Sequence, residues 1–345
     1  MSNYGLLING ELVKSDMTLD VINPATEEVF TQVPRADEAM LDQAVAGAKV
    51  AAAKWALTDI DERKALIHKI ADAINANIEP LAKALTQEQG KPLAAATMEV
   101  QYAEIFCRYF TSLNLENEVL VDDENQRVEV QRTPLGVVAG ILPWNFPLLI
   151  GIYKIAPSIL AGNSIILKPA PTTPVVSVML GEILKDVVPA GLVNILVDDN
   201  DLGPKITSHP GIDKISFTGS TPTGKAIMSS AASTLKRITL ELGGNDAAIA
   251  LDDIDVKAAA QGIFNTAFIN SGQVCIALKR LYAHESIYDE LCEEIASLAR
   301  QAVVGNGLDE ATQFGPVQNK MQYAKVCDYL EDAKANGNVI AGGEP

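Results

Sequence analysis

"TPLGVVAGILPWNFPLLIGIY", residues 133–153, decides between two architectures. It carries no charged side chain and is long enough to cross a bilayer as one helix. Pro134, Pro143 and Pro147 would each disrupt such a helix, and Asn145 lies at the centre of the run. A buried strand, an ordered turn and the start of a buried helix fit the residues better, and no membrane partner is expected. The segment then becomes the first unit of an α/β protein.

The rest of the chain follows the same alternation. Downstream come the strand "NSIILKP", the helix "PVVSVMLGEILKDV", the strand "LVNILV", the strand "KISFTG", a helix from about Pro222, and the strands "RITLELGG" and "DAAIAL". Strands alternating with helices imply a parallel sheet covered on both faces. Upstream, "YGLLINGELV" places Asn-Gly between apolar runs and predicts a hairpin, and Asn23-Pro24 ends the next extended piece. Helical spacing runs from Asp37 to about Asn77, with Pro80 expected to interrupt the series, and again from Leu93 to about Leu113. The charged, alternating stretch from Glu116 to Arg132 predicts an exposed strand pair.

Composition narrows the function. The 345 residues carry a formal charge of −17, which disfavours a general nucleic-acid surface. The cysteines (107, 275, 292 and 327) show no C-x-x-C spacing, and the first residues read as no signal peptide, so a reducing, cytoplasmic compartment is expected. The histidines at 68, 209 and 284 lie far apart, and no metal site is expected.

Ligands of open α/β sheets bind beyond the carboxyl ends of the strands. Four segments fall there: "PWNFP" 143–147, "KPAPTTP" 168–174, "FTGSTPTGK" 217–225 and "ELGGN" 241–245. Each alone reads as an ordinary turn; together on one rim they make a stronger case. "FTGSTPTGK" nearly matches a triphosphate loop, but Ala226 stands where a magnesium-binding hydroxyl belongs. Its strand-to-helix position still offers free N–H groups to a phosphate or pyrophosphate. "FINSGQVCIALKR", 268–280, places Cys275 after a glycine-containing turn, as a thiol at a pocket mouth would be. A buried structural cysteine is the commoner fate of such a residue. With no histidine nearby in sequence, Glu241 on the rim could serve as its base.

"PWNFP", "LKPA", "FTGSTPTGK", "LELGGN" and "NSGQVC", in this order and spacing, resemble the aldehyde dehydrogenase superfamily, and the likeness runs from "NPATEEVF" to "FGPVQNK". The resemblance implies an α/β chain made of a Rossmann-like parallel-sheet cofactor domain (1–115 and 135–243), a small β-hairpin oligomerisation element (116–134) and a second α/β catalytic domain (244–345), incomplete at its end. By the same likeness Cys275 is the nucleophile, Glu241 the general base, Asn145 the oxyanion donor with the Cys275 N–H, and Lys154 the lysine that usually follows the channel position. Cofactor contacts fall to Leu142, Trp144, Lys168, Pro171, Thr218, Gly219, Ser220, Gly224 and Leu242. Phe146, Tyr153, Val274 and Ile276 line the substrate channel, whose apolar character suggests an apolar or aromatic aldehyde. NAD is the expected cofactor, with NADP left open because Pro171 stands where many NAD-preferring members place a glutamate. Members form homodimers or homotetramers and continue past Pro345, so a truncated enzyme is expected. The alternatives are a catalytically silent cofactor-binding fragment, a semialdehyde dehydrogenase, or a thiol esterase without redox chemistry.

Overall fold

A computed structural model describes residues 4–344 of the chain. Asn9 and Gly10 take φ of 53° and 83°, the left-handed pair that a two-residue hairpin requires. They fold β1 (Leu6–Ile8) back on β2 (Glu11–Val13), as the Asn-Gly dipeptide predicts. A second antiparallel pair follows, β3 (Thr18–Asn23) with β4 (Glu28–Pro34).

The single helical stretch expected over 37–77 is two helices, α1 (Glu38–Trp55) and α2 (Ile60–Asn75). Asp37 caps the first by accepting from the N–H of Met40, and Asp59 caps the second by accepting from that of Asp61, each at 2.8 Å. The split has a packing cause. Leu41, Ala44, Val45 and Ala48 of α1 join the apolar layer on one side of the main sheet, whereas Leu66, Ile67, Ile70 and Ile74 of α2 join the layer on the other. One straight helix cannot reach both. Pro80 does not interrupt the series either: it lies in the first turn of α3 (Ile78–Gln89), where its missing N–H costs no helical bond. Then come α4 (Leu93–Thr111) and the exposed pair β5 (Glu118–Asp122) and β6 (Arg127–Val130), where the sequence places it.

From here the chain alternates: β7 (Val137–Ile141), α5 (Pro147–Leu160), β8 (Ser164–Lys168), α6 (Val175–Leu184), β9 (Val193–Ile195), a short α7 (Gly203–Ser208), β10 (Lys214–Thr218), α8 (Thr221–Ala232) and β11 (Arg237–Glu241). The stretch 133–153 is therefore a strand, a turn and a helix start. No helix among the described residues is long and apolar enough to cross a membrane.

The main sheet has the order β11-β10-β7-β8-β9-β1-β2. Its first five strands are parallel; the N-terminal hairpin adds to β9 antiparallel, so the sheet is mixed rather than wholly parallel. Side chains alternate as the pleat demands. Val137, Ala139, Ile141, Ile166, Ile215 and Phe217 face α1 and α8, while Val138, Ile165, Leu167, Val193 and Ile195 face α2, α4 and α5. The last strand of the predicted series leaves this sheet. β12 (Asp246–Ala250) pairs in parallel with β13 (Leu278–Ala283), and α9 (Val256–Phe268) and α10 (Tyr288–Gln301) pack beside them around Ala260 and Leu291. The last helix is α11 (Lys320–Asn336).

One buried carboxylate joins two helices. Glu88 of α3 accepts from the N–H groups of Val175 (2.6 Å) and Val176 (3.0 Å) at the start of α6. Burial pushes its pKa up to about 8, overriding those two N–H groups, which favour the charged form. Glu88→Ala strands both donors in a dry site. It is expected to cost roughly 2–4 kcal/mol, read as a lower urea midpoint; a loss below about 1 kcal/mol would show that the helix start finds other partners.

Candidate active site

Strand register brings the four rim segments together. Ile141 pairs with Lys168 on one side and Phe217 on the other, and Thr218 pairs with Glu241. The ends of β11, β10, β7 and β8 therefore lie side by side, carrying 241–245, 218–225, 142–147 and 168–174. From β7 the chain first builds outward through β8 and β9, then returns to β7's other side with β10. This reversal makes the β7–β10 end a topological switch point, where ligands of such sheets bind.

Cys275 reaches that rim on a strained turn. Asn270, Ser271 and Gly272 have φ of 51°, 56° and 76°, three successive left-handed residues of which only the last is glycine. Non-glycine residues there cost about 1–3 kcal/mol each and persist only when surrounding bonds over-determine them. Those bonds are present. The Asn270 side chain donates to the Asn145 carbonyl (3.3 Å), Ser271 Oγ to the Gly315 carbonyl (2.8 Å), and Gln273 Nε2 to the Asn270 carbonyl (3.0 Å). The Gln318 N–H donates to Gln273 Oε1 at 2.9 Å. Beyond the thiol, Lys279 Nζ gathers the carbonyls of Val274, Cys275 and Ala277, each at 2.9 Å.

Asn145 touches this turn directly: its Nδ2 donates to the Gln273 carbonyl at 2.8 Å, two residues before the thiol. An amide nitrogen carries two N–H groups, so the second is not used by that bond. The 241–245 turn arrives from the other side. A Cβ on Gly244 would stand 2.5 Å from the Cys275 carbonyl oxygen, so only glycine permits this approach. Cys275 itself is half-buried and unpaired.

Lys154 lies beneath the rim. Buried on α5, it donates to Ser216 Oγ (3.1 Å) and Thr218 Oγ1 (3.0 Å) on β10. Burial lowers its pKa to about 8; Glu241 pulls the other way and Lys214 adds to the lowering. Glu241 is exposed at the end of β11.

On the expected cofactor side, Ser220 caps α8 through the N–H of Thr223 (3.4 Å), and a Cβ on Gly224 would press Leu242 at 2.8 Å. The Gly219 N–H is already given to the Glu241 carbonyl (3.0 Å), continuing the ladder past the strand ends. Leu142 is buried, its N–H on the Lys168 carbonyl (2.9 Å), and Trp144 is half-buried. Lys168 is not a free cation: buried, it pairs with buried Asp198 at 2.6 Å and donates to Asn200 Oδ1 at 3.1 Å. Pro171 sits half-buried in the turn before α6. Of the channel residues, Tyr153 meets the edge of Phe106 at 4.4 Å between centroids and Phe146 lies over Lys91, while Val274 is half-buried and Ile276 is 72% exposed. Among the described residues no group of three or more His, Cys, Asp or Glu could hold a metal ion.

Residues 12–345 match the profile of the aldehyde dehydrogenase family. The chain belongs to that family. Aldehyde dehydrogenase LUC3 of Fusarium is 40% identical over 339 residues, covering 98% of this chain and 71% of that protein. An NADP-dependent enzyme of E. coli superposes with a TM-score of 0.95 at 33% identity, over 99% of this chain and 73% of the other. A betaine aldehyde dehydrogenase of Staphylococcus aureus, complexed with NAD+ and carrying a mercaptoethanol-modified cysteine, gives 0.94 at 31%, over 99% and 71%.

Sequence reasoning passed over several residues that pack around the candidate site: Lys91, Glu99, Asp198, Gln318 and Lys279. Glu99 carried a readable signal, a carboxylate on the apolar face of α4 between Ala96 and Ala103. Gly244→Ala offers a direct check on the close approach. Its methyl group is expected to move the Cys275 backbone amide resonance and to cost about 1–3 kcal/mol by overpacking; an unmoved resonance with an unchanged urea midpoint would refute the contact.

Proposed function

We propose that the chain carries the cofactor and thiol sites of an NAD(P)-dependent enzyme that oxidises an apolar or aromatic aldehyde to the carboxylic acid. The observation that supports this most is the bond from Asn145 to the Cys275 turn, which puts a side-chain donor beside a half-buried thiol at a sheet switch point. Cys275 Sγ adds to the aldehyde carbon and gives a thiohemiacetal. Its oxyanion is met by the second Asn145 N–H and the Cys275 N–H; removing one such donor typically costs about 10²–10³ in rate. Bound at the rim, NAD(P) would supply the hydride acceptor for the thiohemiacetal carbon, which would leave the substrate as a Cys275 thioester. Glu241 takes a proton from water, the resulting hydroxide attacks the thioester carbon, and the Cys275 thiolate leaves with the acid released.

The rim fits a dinucleotide. The first turn of α8, residues 221–223, is exposed behind the Ser220 cap, and helix starts bind pyrophosphate through N–H groups and the helix dipole. Lys225 points to solvent and has no part in this. NAD is favoured over NADP on a specific ground. Asp198 compensates Lys168 within the buried pair, which removes the cation that a 2′-phosphate would seek and restores a negative group to the region where Pro171 supplies none.

A panel of aldehydes with NAD and with NADP, followed by nicotinamide absorbance, tests this reading. Turnover is expected with apolar aldehydes, with the lower KM for NAD. Cys275→Ala is expected to abolish it, and Glu241→Gln to leave a mass-detectable thioester. Wild-type turnover in Cys275→Ala would end the proposal, and cofactor binding without turnover would favour a silent binding protein. The pH profile carries a second expectation. As pH rises through about 8, Lys154, whose hold on its proton is weakened by burial, loses its charge. The rate of single-turnover thioester hydrolysis should therefore inflect across that range, and Lys154→Met should remove the inflection; an unaltered inflection would separate it from Lys154.

A further inference from the structure

Lys91 and Glu99 form the most deeply buried ion pair on the active-site side of the fold, with side chains 1% and 0% exposed and 2.5 Å between them. Both grip the backbone that carries the expected oxyanion donor and channel residues, and the ammonium also lies over the ring of Phe146. Lys91 Nζ donates to the carbonyl of Asn145 at 2.9 Å and stands 3.9 Å from the centroid of the Phe146 ring. The second oxygen of Glu99 accepts from the N–H groups of Leu148 (3.1 Å) and Leu149 (3.2 Å), the open start of α5. The pair thus holds residues 145–149 at both ends.

The ammonium has its own anchorage. Gly90, beside it, has φ of 96°, and Gly307 and Gly315 approach the carbonyls of Lys91 and Gly90 so closely that a Cβ on either would overlap them. The Leu93 N–H closes this contact by donating to the Gly307 carbonyl at 2.8 Å. Burial drives Lys91 toward the neutral amine, and Glu99 opposes that shift. A buried ion pair is a weak source of stability compared with apolar residues of the same size. What it adds here is directional: two charged groups whose remaining hydrogen-bonding capacity is spent on one turn.

We infer that Lys91, held by Glu99, is a positioning residue that fixes the Asn145 carboxamide for the oxyanion formed at Cys275. The inference rests on the oxyanion role proposed above for Asn145. A displacement of about 1 Å at such a donor can cost on the order of 10²-fold in rate.

Two reactions of Cys275 separate positioning from general damage. Acylation by p-nitrophenyl acetate passes through an oxyanion; alkylation by iodoacetamide does not, and reports the thiol alone. Both are followed at Cys275 by peptide mass, with Cys275→Ala as the blank. In the paired variant Lys91→Gln with Glu99→Gln, which leaves no uncompensated charge, acylation is expected to fall about 10- to 100-fold while alkylation stays within about twofold. In an Asn145→Ala background the same pair should cost less than about twofold further, because coupled groups are not additive. Equal losses in both reactions, no loss in either, or a full second loss without Asn145 would each overturn the inference. Should the paired variant not fold, Lys91→Arg keeps the cation beside Glu99, moves its donors off the Asn145 carbonyl, and is read by the same two rates. Neither reaction needs a cofactor. A chain that passes this test but fails to reduce NAD would lose the dehydrogenase reading alone.

Discussion

The carbonyl oxygen of Asn145 takes hydrogen bonds from two sides, and the site is assembled around it. Lys91 reaches it from the loop between α3 and α4, and Asn270 reaches it from the left-handed turn before Cys275. A carbonyl has two acceptor sites, so these bonds are compatible and together they tie the sheet rim to the thiol-bearing segment. The Asn145 side chain then returns a bond to the same turn through Gln273. Strain at Asn270 and Ser271 is tolerable because this web leaves the turn no better arrangement. The thiol's position is therefore a property of contacts from four distant parts of the chain, residues 88–99, 145, 270–275 and 315–318.

The sheet explains why those parts can meet. β7 is entered first and flanked later, by β8 on one side and β10 on the other, and the reversal puts a topological switch point at its carboxyl end. Layer assignment is equally constrained. α1 and α2 must cover opposite faces, which demands the break at 56–59 and brings α2, α4 and α5 onto the face beneath the rim. Glu88 and Glu99 then cap α6 and α5 from within that layer, so the same helices that cover the sheet also anchor the turns above it.

Much of this was legible in the sequence. Continuous apolar runs between turn residues identify the parallel strands, and Asn-Gly identifies the first hairpin, because only a few residue types suit those backbone conformations. The candidate thiol, base and oxyanion donor come from motifs whose members the structure brings to one rim. The rest depends on contacts remote in sequence. A helical period looks the same across the break between α1 and α2, since both helices bury apolar residues and periodicity carries no record of which face they cover. The departure of β12 from the main sheet is invisible for the same reason. Asp198 reads locally as an ordinary acid, and the apolar face that carries Glu99 hints at burial without naming a partner; their partners lie 30 and 8 residues away.

The rim also resolves how a strongly acidic chain can receive an anionic dinucleotide. Three of the lysines near it are poor candidates for holding phosphate by charge. Lys168 is compensated by Asp198, Lys154 is pushed toward neutrality by burial, and Lys225 faces solvent. The near-match of "FTGSTPTGK" to a triphosphate loop is thus misleading in its lysine as well as in its missing hydroxyl. What remains is backbone: the exposed first turn of α8 behind Ser220, the positive end of a helix dipole that follows directly on the end of β10. Recognition by oriented N–H groups needs no net positive surface, so it is compatible with the formal charge of −17. The lysines are then free for structural work: Lys91 bonds Glu99 and the Asn145 carbonyl, and Lys279 gathers the carbonyls around Cys275.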